Sequence, residues 1–124
     1  MADRTLFITG ASTGIGAATA RAAVAQGWNV GLFARSEDKL RALADEFGAQ
    51  AMALPGDAGR LEDQQQAMGR LAERFGDVTA AFANAGRGAA AAGTEAGDPD
   101  DWQAMVTLNI MGVLWTAKAA APYL

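Results

Sequence analysis

The chain has 124 residues, of which 51% are apolar and 19% charged, and it carries a net charge of −4. These values allow a single globular domain, and they argue against a nucleic-acid surface because no stretch gathers Lys and Arg. The lack of cysteine and histidine excludes disulfides, thiolate chemistry and histidine-ligated metals, and we expect no metal. The sequence has neither an apolar run of about 18 residues nor a basic leader, so we expect a cytoplasmic protein with no membrane contact.

The first elements predicted along the chain are a strand, a glycine-rich turn and a helix. Thr5–Thr9 is rich in β-branched residues and predicts the strand, and Ala17–Ala25 predicts an alanine-rich helix that Ser12 or Thr13 can cap. Between them stand three closely spaced glycines, Gly10, Gly14 and Gly16. Such a turn lets the backbone approach a ligand, and the amino end of the helix favours an anion such as pyrophosphate. A plain strand-to-helix turn without a ligand is the alternative interpretation.

Further predicted strands alternate with helices along the rest of the chain. The strands are Asn29–Ala34, Gln50–Leu54 and Val78–Ala83. This alternation predicts an α/β protein with a parallel, doubly wound sheet and helices on both faces, forming one domain over residues 1–124. The ligand cleft is expected where the carboxyl ends of the strands meet.

The predicted helices have recognisable ends. Glycines end the first three, at Gly27, Gly48 and Gly76. Ser36 can cap the second helix, and Asp98 with Pro99 starts a fourth, largely apolar helix that runs from Trp102 towards Pro122. Ahead of it, the Ala/Gly-rich stretch Arg87–Gly97 is predicted to be a mobile loop.

Polar residues and glycines stand at the carboxyl ends of the predicted strands. Arg35 follows Ala34, at the point where a dinucleotide fold places the residue that meets the adenosine ribose. Because Ala34 is small and uncharged, Arg35 could bind a 2′-phosphate there, or it could be a solvated loop residue. Asp57 could accept a hydrogen bond from an adenine amino group or cap the third helix. Asn84 and Gly86 could lie beside a ligand or only serve the local backbone.

Asn109 is a polar residue within the apolar stretch Val106–Trp115. It shares a helix face with Gly112 and Val113, so its amide is predicted to be buried and to have hydrogen-bond partners. A structural clip between this helix and the sheet is one interpretation, and a role in chemistry is the other.

Together, these residues resemble the short-chain dehydrogenases/reductases. The matching residues are Thr9-Gly10-Ala11-Ser12-Thr13-Gly14-Ile15-Gly16, Asp57, Asn84-Ala85-Gly86 and Asn109. Their order and spacing are similar to those of the compact branch with the pattern Thr-Gly-x-x-x-Gly-x-Gly, and the resemblance covers the whole chain. It implies a Rossmann-type, three-layer α/β/α fold.

The resemblance also implies a set of functional residues. Those that would bind the cofactor are Gly10, Ser12, Thr13, Gly14, Ile15, Gly16, Arg35, Ser36, Asp57, Ala58, Asn84, Ala85 and Gly86. Because Arg35 follows a small residue in place of the family's acidic one, NADP is favoured over NAD. Asn109 would be the catalytic asparagine that holds a proton-relay water.

The sequence departs from the family pattern after Asn109. The family's serine and Tyr-x-x-x-Lys pair have no counterpart, since Tyr123 is the only tyrosine and no lysine follows it at the required spacing. We therefore expect the N-terminal, cofactor-binding half of an NADP-dependent oxidoreductase of small carbonyl or alcohol substrates, truncated after the fourth helix and inactive alone. A non-catalytic dinucleotide-binding or sensor module is the alternative. The resemblance further implies a dimer or tetramer built on the last helix.

Overall fold

A computed structural model of the chain describes residues 4–88 and 93–124. Its strands and helices are β1 (Thr5–Thr9), α1 (Gly14–Ala25), β2 (Asn29–Ala34), α2 (Glu37–Phe47), β3 (Ala51–Pro55), α3 (Leu61–Phe75), β4 (Ala80–Phe82), α4 (Pro99–Val106) and α5 (Gly112–Ala120). A single 3₁₀ turn, Gly48–Gln50, precedes β3, and a π-helical segment, Thr107–Met111, joins α4 to α5. The predicted alternation of strands and helices is therefore confirmed.

The four strands form one parallel sheet in the order β3-β2-β1-β4. Phe7 in β1 lies opposite Gly31 in β2 and Ala81 in β4, and Gly31 in turn lies opposite Met52 in β3. The chain thus starts in the middle of the sheet, builds outward through β2 and β3, and returns to the other side of β1 with β4. This is the doubly wound order of a Rossmann-like fold, as predicted.

Successive residues of the central strands enter different cores because side chains alternate across a strand. Phe7 and Phe33 pack with α3 and α5 on one face, while Ile8 and Leu32 pack with α1 and α2 on the other. All four side chains are fully buried. Because both faces of these strands are covered, their sequences are continuous apolar runs. The sheet therefore lies between two helical layers.

The fourth strand is shorter than the predicted Val78–Ala83. The backbone N–H of Val78 donates to the Asp77 carboxylate, and that of Asn84 donates to the Thr9 hydroxyl instead of continuing a ladder. Only Ala80–Phe82 pairs with β1, opposite Leu6, Phe7 and Ile8.

The last helix begins as predicted but is not continuous. The Asp98 carboxylate accepts from the N–H of Asp100, with Pro99 in the first turn. The π-helical segment then interrupts the helix around Asn109. Residues 89–92 of the predicted mobile loop lie outside the described residues. Within the described ranges, no helix has the length and apolar character required to cross a bilayer.

Candidate functional site

The turn after β1 has a backbone that requires glycine. Gly10 and Gly14 have φ angles of +66° and +57°. A Cβ on Gly16 would lie only 2.2 Å from the carbonyl oxygen of Gly10, so α1 approaches the turn more closely than any larger residue allows. A Cβ on Gly14 would meet no described residue within 4 Å. The turn is therefore packed tightly on its inner side and open on its outer side.

Thr9 fastens this turn to the end of β4. Its hydroxyl oxygen, buried with the rest of the side chain, accepts hydrogen bonds from the N–H groups of Asn84 and Ala85, both at 3.0 Å. The Asn84 amide in turn donates to the Gly10 carbonyl at 3.3 Å. These contacts hold the carboxyl ends of two neighbouring strands in fixed register at the site.

The amino end of α1 has no side-chain cap. Thr13 occupies the N-cap position, but neither its side chain nor that of Ser12 makes the predicted capping hydrogen bond. Ile15 is 70% exposed. The first N–H groups of the helix therefore face open space beside the glycine turn, which is the arrangement that favours an anion.

A cleft runs along the carboxyl ends of all four strands. Its part nearest the glycine turn has a volume of about 290 Å³ and is lined by Gly10, Ser12, Ala34, Arg35, Ser36, Gly56, Ala58, Ala85, Gly86, Arg87 and Leu108. A second part, of about 400 Å³, extends towards α4 and adds Asp57 and Thr107. Arg35, Arg87 and Leu108 line both parts. The cleft thus lies where the sequence predicted it.

Arg35 and Arg87 both line the cleft but differ in whether their charge is paired. Arg35 is exposed and, within the ranges that the structure describes, it forms no ion pair and no hydrogen bond. Arg87 is engaged, since its guanidinium contacts the Asp101 carboxylate at 2.9 Å. Ser36 occupies the predicted N-cap position of α2, but its side chain makes no capping hydrogen bond. Arg35 and Ser36 are therefore both available to a ligand.

The loop after β3 is held by its own acidic side chains. Asp57 Oδ1 accepts from the N–H of Gly59 at 2.9 Å, and the N–H of Asp57 donates to Asp63 at 2.9 Å. The N-cap position of α3 is taken by Arg60, so the predicted capping role of Asp57 is wrong. Ala58, only 5% exposed, contributes a small apolar surface to the cleft.

Asn109 is exposed, not buried as predicted, because the π-helical segment carries it to the edge of the cleft. Its amide nevertheless forms one hydrogen bond through each of its two polar atoms. Oδ1 accepts from the N–H of Arg87 at 2.9 Å, and Nδ2 donates to the carbonyl of the same residue at 2.7 Å. A Cβ on Gly86 would approach Asn109 Oδ1 to 3.0 Å. The side chain therefore clips the loop after β4 to the segment between α4 and α5.

The remaining predicted residues lie around the cleft without lining it. Thr13, Gly14 and Ile15 form the exposed end of α1, whereas Gly16 and Asn84 support the turn from behind. A separate groove of about 580 Å³ at the outer edge of β3 contains none of the predicted residues. It is lined by β3, the turn before it and residues from the later parts of α2 and α3, so we assign the site to the cleft beside the glycines.

Three residues that bear on the site were not singled out from the sequence. Arg87 and Leu108 are each adjacent to a predicted residue, Gly86 and Asn109 respectively, and this adjacency was the available signal. Gln64 is fully buried below the cleft. Its spacing of three residues from Leu61 and four from Met68 places it on the apolar face of α3, despite the two glutamines that follow it.

Comparison with known proteins gives matches over almost the whole chain. A profile of the family described as short chain dehydrogenase matches residues 4–124. A serine 3-dehydrogenase from Agrobacterium fabrum is 36% identical over 110 residues, which cover 89% of this chain and 44% of that protein. The crystal structure of a 3-ketoacyl-(acyl-carrier-protein) reductase from Brucella melitensis complexed with NADH matches with a TM-score of 0.92 and 27% identity, covering 97% of this chain and 49% of that one. A metagenomic short-chain oxidoreductase in complex with NADP matches with a TM-score of 0.87 and 30% identity, covering 96% and 55%.

These matches agree with the parallel sheet and its flanking helices. The chain spans about half the length of the curated relatives it matches. The two solved structures hold different nicotinamide dinucleotides, NADH in one and NADP in the other. With a family match that extends from Arg4 to the last residue, the chain belongs to the short-chain dehydrogenase family of oxidoreductases.

Proposed function

We propose that the cleft binds NADP(H) and that the whole protein transfers a hydride between this cofactor and a small carbonyl or alcohol substrate. The observation that carries the proposal is that Gly10, Ser12, Arg35 and Ser36 line one cleft beside the uncapped end of α1. Two of the relatives are named a serine 3-dehydrogenase and a 3-ketoacyl reductase, which supports an alcohol or a carbonyl as the reacting group.

The glycine turn fits a pyrophosphate. Gly14 has a positive φ, and a Cβ there would project into open space, so the backbone can be approached closely. The N–H groups of the first turn of α1 and the positive end of its dipole would stabilise the negative charge. Ser12, half-buried in the cleft wall, would add a hydroxyl donor.

The end of β2 fits the 2′-phosphate of NADP. Ala34 is the last residue of the strand and carries no charge that would repel a phosphate. Arg35 follows it with a guanidinium that is free within the described residues, and a guanidinium binds phosphate oxygens in a bidentate manner. A cofactor lacking the 2′-phosphate would lose this contact, which favours NADP over NAD.

The walls of the cleft fit the two rings of the cofactor. Oδ1 of Asp57 accepts from the backbone of Gly59, and Oδ2 has no partner among residues 4–88 and 93–124, so it is available to accept from an adenine amino group. Ala58 on this side, and Ala85 and Gly86 on the other, are small enough to let flat rings pack against them. The nicotinamide ring, when bound, would supply the hydride donor or acceptor.

Asn109 is the residue that we propose to take part in the chemistry. Its contacts with the backbone of Arg87 fix its position at the edge of the cleft. Held in this way, it would orient a water at the substrate end of the cleft without changing its own charge. This role is additional to the clip that its amide forms.

The experiment that tests the proposal is a titration of NADPH and NADH against the unsubstituted protein and Arg35→Ala. A charge-assisted phosphate contact is worth about 1.5–3 kcal/mol, so the substitution should weaken NADPH binding roughly 10-fold to 100-fold and leave NADH binding nearly unchanged. Arg41→Ala is the matched control, because Arg41 is an exposed arginine on α2 that pairs with Glu37 away from the cleft. Failure of both cofactors to bind the unsubstituted protein would refute the proposed function, and an unchanged ratio in Arg35→Ala would refute Arg35 as the selector.

We further propose that the protein assembles with copies of itself through α5 and the segment before it. Four large apolar side chains are exposed there, namely Val106 at 47%, Ile110 at 56%, Val113 at 42% and Leu114 at 53%. Large apolar side chains that are exposed close together along one segment often mark an interface. A dimer or tetramer would remove them from water.

A further inference from the structure

Gln64 is a buried amide that the cofactor chemistry leaves unexplained. Its side chain lies in the first turns of α3 and is fully excluded from solvent. A glutamine amide carries two donor hydrogens and an acceptor oxygen, and their burial is costly unless each finds a partner. The partners therefore show what the residue holds together.

All three polar positions of the Gln64 amide are used. Nε2 donates to the carbonyl oxygens of Ala58 at 2.7 Å and Gly112 at 3.0 Å, and Oε1 accepts from the hydroxyl of Thr116. Thr116 is itself only 2% exposed, and its hydroxyl oxygen also lies 3.0 Å from the Gly112 carbonyl oxygen, so its one hydrogen is shared between the two acceptors. One side chain thus joins the loop after β3 to the start of α5.

The two segments that Gln64 joins both border the cleft. Ala58 lines it on the side of the β3 loop. Gly112 directly follows the π-helical segment that contains Leu108, which lines both parts of the cleft, and Asn109. A Cβ on Gly112 would lie 3.2 Å from the Ala58 carbonyl oxygen, so the two backbones are already close to contact. Loss of the Gln64 hydrogen bonds would therefore change the positions of both the Ala58 loop and the segment before Gly112.

We propose that Gln64 is a positioning residue. It sets the distance between the loop that contains Ala58 and the π-helical segment that contains Asn109, and so holds the cleft in the conformation that binds the dinucleotide. The inference rests on the proposed function, since it concerns the same cleft. Without the amide, the Ala58 carbonyl would lose its buried donor, and the wall would hold its binding position for only part of the time. Apparent affinity falls in proportion to the fraction of molecules in the competent state.

The test compares Gln64→Met with two controls in the full-length protein. Methionine keeps the length and volume of the side chain but removes both donors. Gln65→Met makes the same chemical change at the next, exposed position of α3. Leu43→Ala destabilises the core on the opposite face of the sheet, against which Ala34 packs but neither Ala58 nor Leu108 does. Affinity is measured by fluorescence titration, well below each melting temperature, with whichever of NADPH and NADH binds the unsubstituted protein.

Gln64→Met should weaken cofactor binding roughly tenfold, as expected when buried hydrogen bonds that fix a binding wall are lost. Both controls should stay within about twofold of the unsubstituted protein. Hydrogen exchange without cofactor should accelerate at residues 107–112 in Gln64→Met more than in Leu43→Ala. If Gln64→Met does not fold, Thr116→Val removes only the hydroxyl that holds Oε1 and should show the same effects to a smaller extent.

The outcomes separate the two proposals. A protein that binds neither dinucleotide refutes the proposed function, and unchanged exchange at residues 107–112 would then overturn the role of Gln64 as well. Cofactor binding that is equally tight in Gln64→Met and the unsubstituted protein overturns the positioning role alone. Weakened binding that Leu43→Ala reproduces would also overturn it, because lost stability would then be sufficient.

Discussion

Replacement of Gly16 by alanine tests how closely α1 approaches the glycine turn. A Cβ at this position would lie 2.2 Å from the Gly10 carbonyl oxygen and 2.9 Å from Asn84 Nδ2. The carbonyl belongs to the backbone and cannot swing aside as the end of a flexible side chain could. The helix would therefore have to move away from the turn, and the hydrogen bond between Asn84 and Gly10 would be disturbed with it.

The expected loss of stability combines two opposing effects. Overpacking costs about 1–3 kcal/mol, and contact with a rigid backbone atom places Gly16→Ala near the upper end. Alanine favours the helix over glycine by about 1 kcal/mol, which leaves a net loss of about 2 kcal/mol. For a domain of this size each kcal/mol shifts the melting temperature by roughly 4 °C, so a decrease of roughly 8 °C is expected.

Thermal unfolding followed by circular dichroism measures this shift, and Gly69→Ala is the matched control. Gly69 is also helical, but a Cβ there would have only the Tyr123 hydroxyl near it, at 3.8 Å. Its replacement should raise the melting temperature by roughly 2–4 °C through helix propensity alone. NADPH affinity should fall in Gly16→Ala and remain unchanged in Gly69→Ala. A Gly16→Ala protein that melts at or above the unsubstituted protein would refute the close approach of helix and turn.

Thr9→Val should lower the free energy of unfolding by about 1–3 kcal/mol, because the N–H of Ala85 loses its acceptor and that of Asn84 keeps the Phe82 carbonyl alone, and Thr9→Ser should lower it less. Urea titration of both variants measures the difference, and equal losses would argue against the hydroxyl. Asn109→Ala should reduce turnover of the whole enzyme more than it reduces cofactor affinity. A lower melting temperature with normal turnover per folded molecule would instead show that Asn109 has a structural role alone. Leu114→Lys should shift sedimentation towards the monomer, while Lys118→Gln on the same helix should not. An unchanged sedimentation coefficient for Leu114→Lys would contradict the proposed interface.

The sequence was most informative where local physics decides the structure. The predicted bounds of β1 and β2 are confirmed, because strands buried on both faces are continuous apolar runs bordered by polar residues or glycine. The glycines that were predicted to end the first three helices all have a positive φ, at Gly27, Gly48 and Gly76. This backbone conformation is strained for any residue with a Cβ, so the residue type itself marks the position.

The sequence was less informative where contacts between distant residues decide the outcome. Asn109 was expected to be buried on one face of a continuous helix, but the π-helical segment turns it to the cleft edge, where it contacts Arg87. Asp57 was open to two interpretations, and the structure excludes one of them because the loop continues to Arg60 before α3 begins. Neither the break in the helix nor the length of the loop has a signature in the nearby residues.

Local patterns alone thus determined the order of the elements, the family resemblance and the edge of the sheet where the cleft lies. Only the tertiary structure decided which residues line the cleft and what holds its walls together. Gln64 illustrates the difference, because it opens a run of three glutamines and yet is the one that is buried. Its partners, Gly112 and Thr116, lie 48 and 52 residues away along the chain. A hydrogen bond across that separation depends on how two helices pack on a sheet, and local propensity carries no information about it.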